Sequence, residues 1–263
     1  MIQKAIDLGI NFFDTADLYD RGANEITVGS ALKTNRKKVV LATKVGNQLK
    51  PDGRGWDWNP HKDYIITAVE KSLERLQTDY IDLYQLHGGT IEDPIDETIE
   101  AFELLKQQGK ILYYGISSIR PNVIREWVKR SHLVSVMMQY SLLDRRPEEE
   151  CLNLLNHHNI GVLARGSIAK GLLVNKPADS FLDYSKDEVS DMKKGIDTIV
   201  NDKNKTAVAL GYVLKNPAIS AAVVGIRTAD QLTDVVNSIH VPLTDQEYDR
   251  LAELPRNYYK EHR

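Results

Sequence analysis

Four polar side chains stand at or just beyond the ends of short apolar runs, and their types suit one kind of reaction. Asp14 lies at the end of the run 11–15, with Tyr19 shortly after it. Lys44 ends the run 39–44, and His87 ends the run 81–87. A buried carboxylate and a buried ammonium are tolerated only when paired, so Asp14 and Lys44 on neighbouring strands are expected to meet. A tyrosine hydroxyl has an ordinary pKa of about 10 and is a weak acid at neutral pH. A lysine ammonium beside it favours the anion and lowers that value. His87 is placed to hydrogen-bond a carbonyl oxygen or to tune Tyr19. The set suits general-acid catalysis of carbonyl reduction, with the hydride coming from a cofactor and the proton from Tyr19. Taken singly, each residue also fits an ordinary role. Asp14 fits a strand-end turn, Tyr19 an amphipathic surface, Lys44 a solvated side chain, and His87 a loop before Gly88 and Gly89. Four such residues at successive strand ends are far harder to assign to chance.

The elements that would position them are legible as a rhythm. Strand-length apolar runs occupy residues 11–15, 39–44, 81–87, 111–117, 134–140, 161–164 and 221–225. They are partly β-branched or aromatic, as strands buried on both faces are. Helices are expected between them. Asn59-Pro60 reads as an N-cap and first helical residue, with Ile66, Val69, Leu73 and Leu76 on one face. Asp93-Pro94 opens a second helix carrying Ile95, Ile99, Phe102 and Leu105, and Gly109 ends it. Pro121 starts a third, with Trp127 and Val128 inward, and Pro147 a fourth. Thr244 with Glu247 fits a capping box for the last helix. Strands alternating with helices imply an α/β fold with a parallel sheet. No Gly-x-Gly-x-x-Gly follows any run, which disfavours an open dinucleotide-binding sheet and leaves a TIM-type (β/α)8 barrel. Seven strands are counted where closure needs eight. The chain opens inside a helix, so the barrel is expected to lack its first strand at the N-terminus. Residues 1–263 are expected to form a single domain.

Composition narrows the class further. Of the 263 residues, 42% are hydrophobic, enough for a sizeable core, and the formal net charge of -3 offers no basic stripe for nucleic acid. The lone Cys151 cannot form an intrachain disulfide and fits a reducing, cytoplasmic setting. No apolar run approaches the roughly 20 residues of a membrane span, and the first ten residues lack the features of a signal peptide. His157-His158 is not spaced as a metal pair, His61 reads as a helix start, and no Cys/His cluster suggests a metal.

Three segments together resemble one family. Gly-Ile-Asn-Phe-Phe-Asp-Thr-Ala (9–16) followed by Tyr19 is similar to the signature of the aldo-keto reductases. Leu-Ala-Thr-Lys (41–44) resembles the strand bearing that family's lysine, and Tyr-Ile-Asp-Leu-Tyr-Gln-Leu-His (80–87) the segment ending in its histidine. The resemblance covers nearly the whole chain. It implies an NADPH-dependent barrel enzyme with Asp14, Tyr19, Lys44 and His87 as the catalytic set. Asp14 would also border the cofactor, and Tyr19 and His87 the substrate. Members carry an N-terminal hairpin and first barrel strand that are not in this sequence.

The same resemblance implies a cofactor site without a Rossmann domain. Gly115-Ile116-Ser117-Ser118 resembles a strand end that, with Gln139, holds the nicotinamide carboxamide; Ser118 replaces a more usual Asn. Arg165, Gly166, Ser167, Ile168, Ala169 and Lys170 resemble the loop over the pyrophosphate, with Arg165 where an aromatic Tyr is usual. Gly225, Ile226 and Arg227, with Gln231 and Asp234, resemble the adenosine-phosphate segment, and Arg227 suits a 2′-phosphate. Gln231 stands where some members have Arg, and Val235 where Asn is common. Trp56 and Trp58 either line a substrate pocket or pin their loop. Tyr-Ser-Leu-Leu-Asp-Arg (140–145) is similar to a segment shared with the potassium-channel β-subunits. A cofactor-binding interaction module is therefore the alternative to a working reductase, and an inactive remnant is the third reading. Neither the substrate nor the oligomeric state is legible.

Overall fold

The computed structural model describes residues 1–201 and 203–263. Their contacts cluster into two compact units, residues 1–136 and 137–263. All seven expected strand regions are strands, which bears out the α/β rhythm.

The first unit begins with α1 (Ile2–Asp7) and β1 (Phe12–Asp14), then a tight turn (Tyr19–Gly22) and α2 (Ala23–Leu32). After a 3-10 segment (Lys33–Lys38) come β2 (Val40–Val45), the hairpin strands β3 (Asn47–Leu49) and β4 (Trp56–Trp58), and α3 (Lys62–Leu76). Next are β5 (Ile81–Leu86), α4 (Ile95–Gln107), β6 (Ile111–Ser117) and α5 (Pro121–Arg130), with β7 (Ser135–Gln139) at the boundary. Strand β1 runs parallel to β2, β2 to β5 and β5 to β6. The register sets Asp14 opposite Ala42, and Lys44 opposite Gln85. Consecutive strands are therefore neighbours, and their C-terminal ends bring Asp14, Lys44 and His87 to one edge. Helices α2 and α3 approach closely because Gly29 has no side chain. A Cβ there would lie 2.3 Å from the Leu76 carbonyl oxygen. The helix-facing core is Ile65, Val69, Leu76, Phe102, Leu105 and Trp127, all buried. Phe102 stacks on Tyr114 and meets Tyr84 edge-on.

The second unit holds α6 (Cys151–His157), β8 (Gly161–Arg165), α7 (Lys186–Val200), α8 (Lys205–Leu214), β9 (Ile219–Val223), α9 (Ala229–Ser238) and α10 (Asp245–Ala252). Strands β8 and β9 run parallel, with a register shift between Val162 and Leu163. Its helices are well capped. Ser185 with Glu188 opens α7 by a capping box, and Thr244 with Glu247 opens α10 as the sequence suggests.

Helix starts are where the sequence reading needs correction. Asn59 is not the cap of α3. That helix begins at Lys62 with His61 at the N-cap, and the Asn59 side chain instead accepts from the His61 backbone N–H, so Pro60 stays in the turn. Ile65 and Ala68 are buried on its inner face, while Ile66 and Leu73 are only half-buried. Pro147 lies in a 3-10 turn (Arg146–Glu149), and α6 follows from Cys151. In each case proline sets a bend before the first α-helical hydrogen bond, a position its missing N–H allows.

Candidate functional site

The ends of β1, β2 and β5 converge on a lysine. Lys44 is 1% exposed and lies 2.5 Å from Asp14 Oδ2; its ammonium also donates to the Thr15 carbonyl at 2.7 Å. Gln85 Nε2 lies 3.4 Å from the other Asp14 oxygen. Burial pushes the Asp14 carboxyl above its ordinary range, against the pull of the Lys44 charge and these hydrogen bonds. The buried charge is thus paired and multiply bonded, as a buried ion must be.

Tyr19 stands over this pair at the mouth. The Lys44 ammonium is 5.1 Å from its ring centre, and the His87 ring meets it edge-on at 5.8 Å. Tyr19 itself is 40% exposed, so its face is open to a reactant. His87 is held by backbone: its N–H donates to Val45 O at 2.7 Å, and its carbonyl accepts from Asn47 Nδ2 at 3.2 Å. The backbone of Thr15 donates to Ala42 O and that of Asp17 to Lys44 O, which zips the Tyr19 turn onto β2. The four residues singled out by spacing therefore meet within the first unit.

The two tryptophans part company. Trp58 donates to Asp93 Oδ1 at 3.0 Å, and its ring covers Gly46, where a Cβ would lie 2.7 Å away. It pins the β3–β4 hairpin beside His87. Trp56 is 49% exposed and free of that duty. Asn47, which supports His87, carried no signal in the sequence, and Asp93, which holds Trp58, was read only as the opening of a helix.

The remaining site residues are placed as follows. In the first unit, Ser117 is half-buried at the end of β6, and Ser118 is buried with its hydroxyl accepting from Arg120 N–H at 3.2 Å. In the second unit, Gln139 is bonded on both sides, donating to Asp144 Oδ2 at 2.8 Å and accepting from Arg165 Nη1 at 3.1 Å. The Arg165 guanidinium is thus tied to a side chain. Beyond it, Gly166, Ala169, Lys170 and Gly171 have φ of 70°, 46°, 55° and 92°, a left-handed run that glycine tolerates and the other residues resist. Ser167 is buried and Ile168 half-buried within this turn. Near the end of the chain, Gly225 opens onto free space and Arg227 is exposed, with its backbone N–H held by Gln231 Oε1 at 2.8 Å. Ile226 between them is half-buried. Asp234 is committed to packing: its oxygens accept from Asn204 Nδ2 at 2.7 Å and Thr206 Oγ1 at 2.5 Å.

The family model described as the aldo/keto reductase family matches residues 1–256. The chain belongs to the aldo/keto reductase family. It is 51% identical over 274 residues to "Uncharacterized oxidoreductase YqkF" of Bacillus subtilis, covering 100% of this chain and 89% of that one. It is similar to the holo form of the aldo-keto reductase AKR11C1 from Bacillus halodurans, with a TM-score of 0.95 and 49% identity over 99% of this chain and 88% of that one. That match carries the TIM-type barrel reading of the fold over the open sheet. "Aldo-keto reductase yakc [NADP(+)]" of Schizosaccharomyces pombe is 34% identical over 188 residues, 69% of this chain and 55% of that one. These kinships support an oxidoreductase of carbonyl compounds. Among the described residues no helix is long and apolar enough to cross a membrane.

Proposed function

We propose that this aldo/keto reductase reduces an aldehyde or ketone to an alcohol with NADPH, and that Tyr19 donates the proton. The observation that carries the reading is the convergence on Tyr19. An ammonium lies 5.1 Å from its ring, and an imidazole meets it edge-on. In this scheme a carbonyl oxygen sits between the Tyr19 hydroxyl and His87. A bound NADPH would supply the hydride that the carbonyl carbon accepts. Tyr19 gives its proton to the oxygen, His87 orients that oxygen, and the Lys44 charge offsets the negative charge left on the phenol. Asp14 keeps Lys44 aimed. Trp56 offers an apolar surface to the substrate, while Trp58 shapes the mouth from its pinned position.

The residues present fit a phosphorylated dinucleotide. Arg227 is exposed and forms no ion pair among the described residues, so its guanidinium is available to a phosphate. Gly225 leaves open space beside it, and the left-handed turn from Gly166 to Gly171 presents backbone to a close-lying group. Ser117, Ser118 and Gln139 would hold the nicotinamide amide, residues 165–170 the pyrophosphate, and Gly225, Ile226, Arg227 and Gln231 the adenosine phosphate. Asp234 would act there through α9 packing. The NADP(+) in the yakc name supports this choice. Residues 1–263 act as one reductase domain in this proposal, in the cytoplasm, to which the lone Cys151 is suited.

The test is initial-rate oxidation of NADPH and NADH by the purified chain with a panel of aliphatic and aromatic aldehydes and ketones. Turnover that depends on the carbonyl compound and prefers NADPH is expected. A folded chain that binds NADPH yet turns over none of the panel would sink the reductase assignment in favour of a binding module.

A further inference from the structure

Behind the catalytic set lies a buried charge cluster that the reaction scheme leaves unused. Glu25 of α2 is fully buried. It accepts from Thr43 Oγ1 at 2.6 Å, from Arg75 Nε at 2.7 Å and from Arg75 Nη2 at 2.6 Å, with Ser72 Oγ at 3.4 Å. Asp17, 8% exposed, faces the same guanidinium. Around its carboxyl stand Glu25 of α2, Tyr64 and Arg75 of α3, Lys44 of β2 and Tyr84 of β5. Asp17 Oδ1 and the Tyr84 hydroxyl are both buried without hydrogen-bond partners. Arg75 pairs with Glu25, and its charge also acts on Asp17, whose carboxyl is hydrogen-bonded to Tyr64.

The cluster touches the active site at two points. Thr43, gripped by Glu25, precedes Lys44. Asp17 lies two residues before Tyr19, and its N–H bonds the Lys44 carbonyl. The turn after Tyr19 is strained: Asp20, Arg21 and Gly22 have φ of 48°, 55° and 89°. Non-glycine residues resist that conformation, so something must hold it. Arg75 covers Gly22 so closely that a Cβ there would lie 2.7 Å from Arg75 Cδ. One guanidinium thus braces the Tyr19 turn and, through Glu25 and Thr43, the Lys44 strand.

We propose that Asp17, Glu25 and Arg75 are positioning residues for Tyr19 and Lys44, and that the proton on Asp17 keeps the cluster assembled. The inference rests on Tyr19 and Lys44 being the working pair of the reductase. Burial, and then the Glu25 charge, push the Asp17 carboxyl up to about 7, against Arg75 and Lys44. With the proton on, Glu25 and Arg75 balance. With it off, two carboxylates compete for Arg75, and the brace on Gly22 and Thr43 loosens. The sign is fixed by the raised value. The stability that protonated Asp17 lends is fully present below its ordinary 3.8 and is lost as pH rises through about 7.

The experiment compares wild type, Asp17→Asn and Glu25→Gln, reading kcat and KM for NADPH-dependent reduction alongside melting temperature across neutral pH. From about pH 6 to about pH 8.5 wild-type kcat is expected to fall by about tenfold, the scale of a small misplacement, with KM little changed. Asp17→Asn, which cannot ionise, should lose most of that fall, and its melting temperature should decline less with rising pH than the wild type's. Glu25→Gln removes the charge that raises Asp17, so its inflection should move to lower pH; this arm stands even if Asp17→Asn folds poorly. Active enzymes whose kcat profiles coincide would overturn the inference, even if the melting curves differ. No turnover by folded wild type at any pH would overturn the reductase reading first, and the positioning role with it.

Discussion

Each unit buries a carboxylate against an arginine, and the two clusters are completed differently. In the second unit Glu148 takes Arg145 in a two-pronged grip at 2.8–3.1 Å and accepts from the hydroxyls of Tyr140 and Tyr212 at 2.9 and 2.7 Å. Arg145 also reaches the Leu254 carbonyl, and its N–H meets Asn257, which ties down the end of the chain. Arg256 adds a second guanidinium at 3.9 Å, and burial of Glu148 is outweighed by its hydrogen bonds and the Arg145 charge, so its carboxyl lies below the ordinary value. In the first unit Arg75 pairs with Glu25, and Asp17 beside them is pushed up to about 7. The balanced cluster has the form of a rivet. The unbalanced one stores repulsion behind the proposed catalytic residues. Buried polar groups left imperfectly satisfied collect where a protein does chemistry.

The comparison can be broken from either side. The largest effect is expected in the first unit. Lys44→Met should cut turnover by about 10²- to 10⁴-fold, the range of a general-acid contribution, measured as saturating NADPH oxidation on protein shown to be folded. In the second unit Glu148→Ala should cost ~3–5 kcal/mol in a denaturant titration, because it strands the buried Arg145. At a concentration of denaturant where both proteins are folded, its turnover should stay within a few-fold of wild type. Equal losses of turnover from both substitutions would erase the contrast. The pH signs also oppose each other. Glu148 lends stability above its ordinary 4.5 that is lost as pH falls through its lowered value. Asp17 behaves in the opposite sense. The smallest effect sharpens the cofactor side: Arg227→Ala should weaken NADPH binding by about 10- to 100-fold, the worth of a charged hydrogen bond, and leave NADH nearly untouched. A matched loss for both cofactors would remove Arg227 from the phosphate.

How much of this was legible follows the same division. Strands β2, β5, β7 and β8 showed as apolar runs because they are almost wholly buried, whereas β1 and β9 are only half-buried. The proposed catalytic set was legible because Asp14, Lys44 and His87 are polar residues ending such runs. Helix starts were less legible. Asn59 before Pro60 has the composition of a cap, yet its side chain closes a turn on His61 instead. The cluster of Asp17, Glu25 and Arg75 was invisible, since Arg75 lies 50 residues from Glu25 and each alone resembles a solvated charge on an amphipathic helix or loop. Only the close approach of α2 and α3 across Gly29 joins them. In the second unit, Arg165 and Asp234 matched a segment pattern, but the pattern could not reveal that Gln139 ties one and that Asn204 and Thr206 occupy the other.

The central claim is that Tyr19 gives the proton, and Tyr19→Phe tests it most directly. Wild type and variant are titrated with NADPH by fluorescence, then mixed with a carbonyl substrate that wild type reduces. The account expects matching affinity for NADPH and turnover reduced by at least ~10²-fold in the variant. Matching affinity with near-normal turnover would contradict it and remove Tyr19 as the proton donor.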